Sequence, residues 1–375
     1  MKIALVSPYD FAFPGGITNH ISSLEYHLTK MGHEVKIIAP ASNRVTDFGD
    51  RFISIGKPRP IPASGSICRV TISPWLSSRV EHVLETEKFD IIHLHEPLMP
   101  MLCTTVLRLS GTVNVGTFHA HEGSPGYNFG RPISTIILRR WFRRLDGRIA
   151  VSVPAREFAN KYMPGEYNII PNGVDLEHFS PDKMPIDGYD DGKLNILFVG
   201  RLEHRKGVNY LLDAYRSAKM EIPDCRLIIV GPGTRLRGRY EKWVARKGLK
   251  DVEFVGRVTY DELPRYYQRA DIFCAPATSC ESFGIILLEA MAMGKPVIAS
   301  NIAGYASVMT HNEEGLLVPP RDAKTLSQAL VSLMSDSSLR EQLGARGKVK
   351  AMNYNWQQVA QNICDYYIEV INSKK

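Results

Sequence analysis

The chain has no apolar run approaching the roughly 20 residues that a membrane-spanning helix needs. Met1-Lys2 leads into only a short apolar segment, Ile3 to Val6, before Pro8. No secretory leader is therefore expected, and the expected location is the cytoplasm or the inner face of the cell membrane. Cysteine is sparse: the six, at 68, 103, 225, 274, 280 and 364, form neither a Cys-x-x-Cys pair nor a zinc-finger spacing. Most lie in apolar runs, which suits small buried hydrophobes in a reducing compartment. No Gly-x-Gly-x-x-Gly follows the first apolar strand, which excludes the dinucleotide fingerprint. No helix-turn-helix, zinc-finger or RNP-type aromatic segment supports nucleic-acid binding, so no nucleic-acid partner is expected.

What is present is ordinary globular material. Of 375 residues, 44% are hydrophobic and 23% charged, enough apolar surface for two cores and against disorder. The formal charge of +7 favours anionic partners without choosing among them. One local concentration stands out: Arg139, Arg140, Arg143, Arg144 and Arg148, interleaved with Leu138, Trp141, Phe142 and Leu145. It reads either as a face for an anionic membrane or as a solvated helix packed through Trp141.

Short β-branched runs at Ile3–Val6, Val35–Ala39, Asp90–Leu94, Val113–Phe118 and Gly147–Val151 alternate with helical spacing such as Ile21, Leu24, Leu28 and Met31. A second series follows at Ile196–Val199, Leu227–Val230, Val252–Val255, Ile272–Ala275 and Val297–Ala299. Continuous apolar strands alternating with helices predict an α/β fold with parallel sheets covered on both faces. Between the two series the segment "SPDKMPIDGYDDGK" reads as a linker. The expected division is an acceptor-side domain over 1–180, a linker over 181–193, a nucleotide-sugar domain over 194–355 and a C-terminal helix from 356 to 375.

Chemistry concentrates at the ends of strands, where open α/β sheets bind ligands. Pro14-Gly15-Gly16 precedes a helix whose first amides can meet an anion. His93, His95 and His119 follow or end apolar strands, and His119 is the strongest candidate among them. "GRLEHRKG" places Arg201 and Lys206 in a turn that enters a helix, as cations aimed at a leaving phosphate would be. Within "SCESFGIILLEAMAMGKPVIAS", Glu281 stands in a Ser/Gly loop, and Glu289 lies eight residues later among apolar neighbours. A carboxylate there is costly unless a specific partner, such as ribose hydroxyls, compensates it.

These segments, with "FH" at Phe118–His119, "PNGVD" at Pro171–Asp175 and "ADIFCAP" at Ala270–Pro276, resemble the retaining glycosyltransferases of family 4. The chain also resembles the family's phosphatidylinositol α-mannosyltransferase branch. The resemblance implies the GT-B fold, two Rossmann-like domains facing across a deep cleft, with the last helix crossing back to the first domain. It also implies a hexosyltransferase that moves a sugar with retention from a GDP- or UDP-sugar to a lipid or polyol acceptor such as phosphatidylinositol. By that resemblance His119, Arg201, Lys206 and Glu281 are catalytic. The donor meets Gly15, Gly16, Arg201, Lys206, Glu281, Ser282, Phe283, Gly284 and Glu289, and the acceptor side holds Tyr9, Asn19, Arg69, Ala120 and Ser124.

Some positions depart from that branch. Where it reads guanine with an acidic residue and a lysine, this chain has Tyr260 and Leu263, so the carrier stays open between GDP and UDP. No Asp-x-Asp pair occurs, so no protein metal site is expected and Mg2+ is left as a companion of the substrate alone. The competing readings are an epimerase or hydrolase of the same sugar nucleotides and, from a different class, a nucleic-acid binder.

Overall fold

The computed structural model describes residues 1–13, 15–63, 66–97, 99, 101–121 and 140–374. They form two compact units, Met1–Gly173 with Trp356–Lys375, and Val174–Asn355.

In the first unit seven strands form one sheet in the order β3-β2-β1-β6-β7-β8-β9, all pairs parallel. They are β1 (Lys2–Val6), β2 (Glu34–Ala39), β3 (Phe52–Ser54), β6 (Ile91–His95), β7 (Val113–Phe118), β8 (Gly147–Ala150) and β9 (Asn168–Ile169). A separate antiparallel hairpin joins β4 (Pro58–Ala63) to β5 (Ser66–Thr71). Successive residues of a strand face opposite sides of the sheet, and β1 shows the consequence. Ile3 and Leu5 enter one core, and Ala4 and Val6 enter the other. A sheet buried on both faces has no polar alternation, which is why its strands read as unbroken apolar runs.

Among the described residues, five helices cover this sheet: α1 (Gly16–Lys30), α2 (Ser77–Glu87), α3 (Leu102–Leu109), α4 (Val153–Tyr162) and α12 (Trp356–Lys374). Ser152 caps α4, its hydroxyl accepting from the Ala155 amide at 3.1 Å, with Pro154 in the first turn. Helix α12 places Trp356, Val359, Ala360, Ile363, Tyr367 and Val370 at helical spacing in the core of Ile3 and Leu5. Gly173 makes that approach possible, because a side chain there would begin 2.5 Å from the Trp356 ring.

The second unit holds six parallel strands in the order β12-β11-β10-β13-β14-β15. These are β10 (Leu194–Val199), β11 (Cys225–Val230), β12 (Val252–Gly256), β13 (Ile272–Ala275), β14 (Val297–Ser300) and β15 (Gly315–Val318). Its helices are α5 (Val208–Glu221), α6 (Arg237–Arg246), α7 (Leu263–Arg269), α8 (Ile285–Ala292), α9 (Ala303–Ala306), α10 (Ala323–Ser335) and α11 (Ser337–Met352). Residues 180–193 carry no helix or strand and dock on this unit, where Tyr189 donates to Glu253 at 2.6 Å.

Each sheet reverses its winding once, at β1/β6 and at β10/β13, and the loops leaving those strands are where ligands gather in such sheets. Gly15-Gly16 follows β1, and the basic turn Gly200–Gly207 follows β10. Among the described residues no helix is long and apolar enough to cross a membrane.

Candidate functional site

In the second unit the loop after β10 and the loop after β13 are bound into one constellation. Residues His204–Lys206 make a single tight turn that Gly207 ends in the left-handed region, at φ 72°. A side chain at Gly207 would begin 1.9 Å from the Pro276 carbonyl oxygen, so glycine allows the two loops to touch. The Thr278 amide then donates to the Arg205 carbonyl at 2.7 Å. The Arg205 guanidinium bridges Glu203, at 2.9 Å, and the Glu281 carboxylate, at 2.5 Å. Lys206 Nζ lies 2.7 Å from the same Glu281 oxygen.

Burial alone would raise the Glu281 carboxyl, but the Lys206 and Arg205 charges outweigh it and hold the group below its ordinary value. Glu281 is thus ionised and fixed on a loop in which Cys280 has φ 60° and Gly284 φ 124°. The loop is also wedged against α9, where a side chain at Gly304 would begin 1.9 Å from the Glu281 carbonyl oxygen. Arg201 is the more exposed of the predicted cations, its side chain 42% accessible and 3.9 Å from Glu203.

Glu289 sits in α8 and meets a different neighbour. The Tyr267 hydroxyl of α7 donates to Glu289 Oε2 at 2.8 Å. Burial pushes the Glu289 carboxyl up to about 7, against the opposing effects of the Tyr267 hydrogen bond and the Lys206 charge. Tyr260 stacks on His178 with ring centroids 3.9 Å apart and an interplanar angle of 1°. Ser282 and Phe283 share the Glu281 loop, Phe283 buried and in edge contact with Tyr354.

In the first unit Gly15 precedes α1, its amide donating to Thr18 Oγ1 at 2.8 Å. Gly16 opens α1 with nothing within 4 Å of where a side chain would start. Asn19 is exposed on that helix. Tyr9 bridges to Val70 of β5, and the Arg69 guanidinium packs 4.0 Å from the Phe13 ring centroid. His119 follows β7 beside Ala120; its amide donates to Glu96 Oε1 at 2.6 Å, and its Nε2 lies 3.0 Å from His95 Nδ1. His20 of α1 packs edge-on against His119 and against Trp356. His93 is consumed structurally, its two nitrogens paired with Tyr367 and Thr117 at 2.6 Å each. Burial lowers all four rings and so keeps them neutral.

Pro14, Ser124, Leu138 and Arg139 lie outside the described residues. Of the remaining basic cluster, Phe142 and Leu145 are core residues and Trp141 packs partly buried beside them. Arg144 is held by the carbonyls of Arg108 and of Ser110, the latter at 3.1 Å. Sequence reasoning passed over Arg205, Tyr267 and His20. Arg205 was in view within the basic turn, but only the geometry of that turn aims it at Glu281.

Two family models match, Glycosyltransferase Family 4 over residues 14–178 and Glycosyl transferases group 1 over residues 180–350. A phosphatidyl-myo-inositol mannosyltransferase of Mycobacterium leprae is 36% identical over 376 residues, covering 100% of this chain and 98% of that protein. Among solved structures, sucrose-phosphate synthase from Thermosynechococcus elongatus matches 99% of both chains with a TM-score of 0.77 at 22% identity. Anabaena HepE in complex with UDP and glucose matches 98% of this chain and all of that one, with a TM-score of 0.77 at 19% identity. The two parallel-sheet units are those of the GT-B fold. The chain belongs to the family 4 glycosyltransferases.

Proposed function

We propose that the protein transfers a hexosyl group, with retention, from a GDP- or UDP-sugar to a lipid or polyol acceptor of the phosphatidylinositol type. The observation that carries this is the Glu281 carboxylate held ionised between Arg205 and Lys206, with the Glu289–Tyr267 pair in the same unit. Cations beside a fixed carboxylate suit a donor that is anionic at its diphosphate and hydroxylated at its sugar. The 36% identity over the full chain to a phosphatidyl-myo-inositol mannosyltransferase supports the acceptor class, and the HepE complex supports a uridine nucleotide as one carrier to test.

In this reading Lys206 and Arg201 stabilise the charge that grows on the departing diphosphate, and the Gly16 amide at the start of α1 serves the distal phosphate. Glu281 accepts from sugar hydroxyls, Glu289 accepts from the ribose hydroxyls, and His119 contacts the hexose near the reaction centre. The leaving phosphate oxygen takes the acceptor's proton on the face where the new bond forms, so no side-chain base is required. The donor's diphosphate can bring its own Mg2+ as part of the substrate.

The test is a product assay. The chain is incubated with GDP-mannose, UDP-glucose or UDP-N-acetylglucosamine and with phosphatidylinositol vesicles or free inositol, and the glycosylated acceptor and free nucleotide are quantified. Nucleotide release that depends on acceptor, with an α-linked product, supports the reading. A product of inverted configuration, or sugar released or epimerised without acceptor, overturns it.

A further inference from the structure

His119 pairs its ring with one other imidazole, and the surroundings of that pair decide where two protons lie. His93 and His95 stand two apart in β6 and so on one face of the sheet, with His95 registered against Thr117 of β7. Two residues beyond Thr117, His119 closes onto them. Its amide donates to Glu96 Oε1 at 2.6 Å, and its Nε2 lies 3.0 Å from His95 Nδ1. His93 backs the pair, stacked 4.3 Å from His95, with both its nitrogens taken by Tyr367 and Thr117. His95 is fully buried, and its Nε2 has no hydrogen-bond partner. His119 is the less buried of the two, and its Nδ1 has no partner among the described residues.

Burial keeps both rings neutral, so each carries one N–H. Only two arrangements then satisfy the contact. If His119 Nε2–H donated to His95 Nδ1, the single proton of His95 would sit on Nε2, as an N–H buried with nothing to receive it. If His95 Nδ1–H donates to His119 Nε2, the atom left without a partner is a bare ring nitrogen, and the proton of His119 sits on Nδ1. Orphaned N–H groups are the rarer case in protein interiors, which selects the second arrangement. We propose that His95 is a positioning residue that holds His119 in its Nδ1–H tautomer, so that His119 meets the hexose as a hydrogen-bond donor. This rests on the reading of His119 as the residue near the reaction centre. Nδ1–H can donate to a sugar or phosphate oxygen. The one lone pair of the His119 ring is engaged by His95, so His119 cannot take the acceptor's proton, which is left to the departing phosphate oxygen. Glu96 and His95, adjacent in the chain, fix the backbone and the ring of His119 together.

The experiment reads the tautomer directly. The full chain is isotope-labelled at its histidine nitrogens, and two-bond nitrogen–proton correlations are recorded by NMR at neutral pH without substrate. The signals of the two rings are those lost in His119→Asn and in His95→Asn. The expected result is a protonated Nδ1 and a bare Nε2 on both. His95→Phe keeps a ring but has no donor, and should release His119 into the Nε2–H form. It should also lower kcat/KM for transfer by about tenfold, the worth of one neutral hydrogen bond, with nucleoside diphosphate binding unchanged. His95→Asn can still donate from its amide nitrogen, and should keep the Nδ1–H form and most of the activity. A merely structural role for His95 would leave the tautomer as it is. Should the variants fail to fold, neutron diffraction from crystals of the parent chain locates the same protons. A protonated Nε2 on His119 of the parent, or an unchanged tautomer or unchanged kcat/KM in a folded His95→Phe, would overturn the proposal. Because the tautomer is read without substrate, an Nδ1–H ring in a chain that transfers no sugar would overturn the glycosyl-transfer reading and leave the His95–His119 pairing standing.

Discussion

Glu289 gives the sharpest quantitative test of the donor site. Its carboxyl is pushed up to about 7, while the Tyr267 hydroxyl at 2.8 Å and the Lys206 charge act in the opposite direction. If the carboxylate form alone accepts the ribose hydroxyls, donor affinity follows its ionised fraction. That fraction is about one-tenth at pH 6 and about nine-tenths at pH 8, so a sugar nucleotide should bind about tenfold more tightly at pH 8, ~1.4 kcal/mol. The assay is titration calorimetry with an intact GDP- or UDP-sugar, whose esterified diphosphate does not ionise in this range. Glu289→Gln should bind more weakly and with a flat pH profile. Tyr267→Phe removes a hydrogen bond to a charged group, worth ~1.5–3 kcal/mol, and should move the midpoint up by about one to two pH units. A flat wild-type profile, or one that survives in Glu289→Gln, refutes the assignment.

Two further outcomes follow from the same geometry. Lys206→Ala should lower kcat by about 100-fold with little change in melting temperature, measured on the transfer reaction; wild-type turnover would remove Lys206 from the diphosphate. The buried rings set the acid limit. Burial depresses His20 to about 4 and His93 to about 3. Their contribution is complete above the unfolded value near 6.5 and is lost as pH falls toward those values. Melting temperature should therefore fall steeply between pH 6.5 and 4, and a flat profile there would show that these rings are solvated.

The fold was legible because parallel strands buried on both faces leave unbroken β-branched runs. Ile272–Ala275 and Val113–Phe118 match β13 and β7 residue for residue, and the other strands read from the sequence differ by one or two residues at their ends. What went unread lies where that signal fades. The β4–β5 hairpin contains Pro58, Pro60 and Pro62, residues that ordinarily argue against a strand. The edge strands β3 and β9 span three and two residues, too short for any periodicity. Site residues divide in the same way. Glu281 and Glu289 announced themselves as carboxylates in apolar or glycine-rich surroundings, which is a local signal. Tyr267 and His20 did not, because a tyrosine in a helix and a histidine on an amphipathic face become informative only when tertiary packing brings a carboxylate or two other imidazoles beside them.

Glu281 separates the two tasks assigned to this loop pair. Its carboxylate neutralises Arg205 and Lys206 while both lie largely buried, with side-chain exposures of 24% and 12%. An ammonium has three donors, so Lys206 can hold Glu281 with one and still direct another at a phosphate oxygen. Glu281→Gln should therefore have opposite effects on two measurements. Removing the negative charge leaves two cations under-compensated, so a plain nucleoside diphosphate should bind as well as to the parent or more tightly. Transfer should fall by about 100-fold or more, because the amide no longer fixes the sugar hydroxyls through a charged acceptor. If plain nucleotide binding fell in parallel with kcat, the carboxylate would be organising the basic turn rather than holding the sugar, and the division of labour between Glu281 and Lys206 would be wrong.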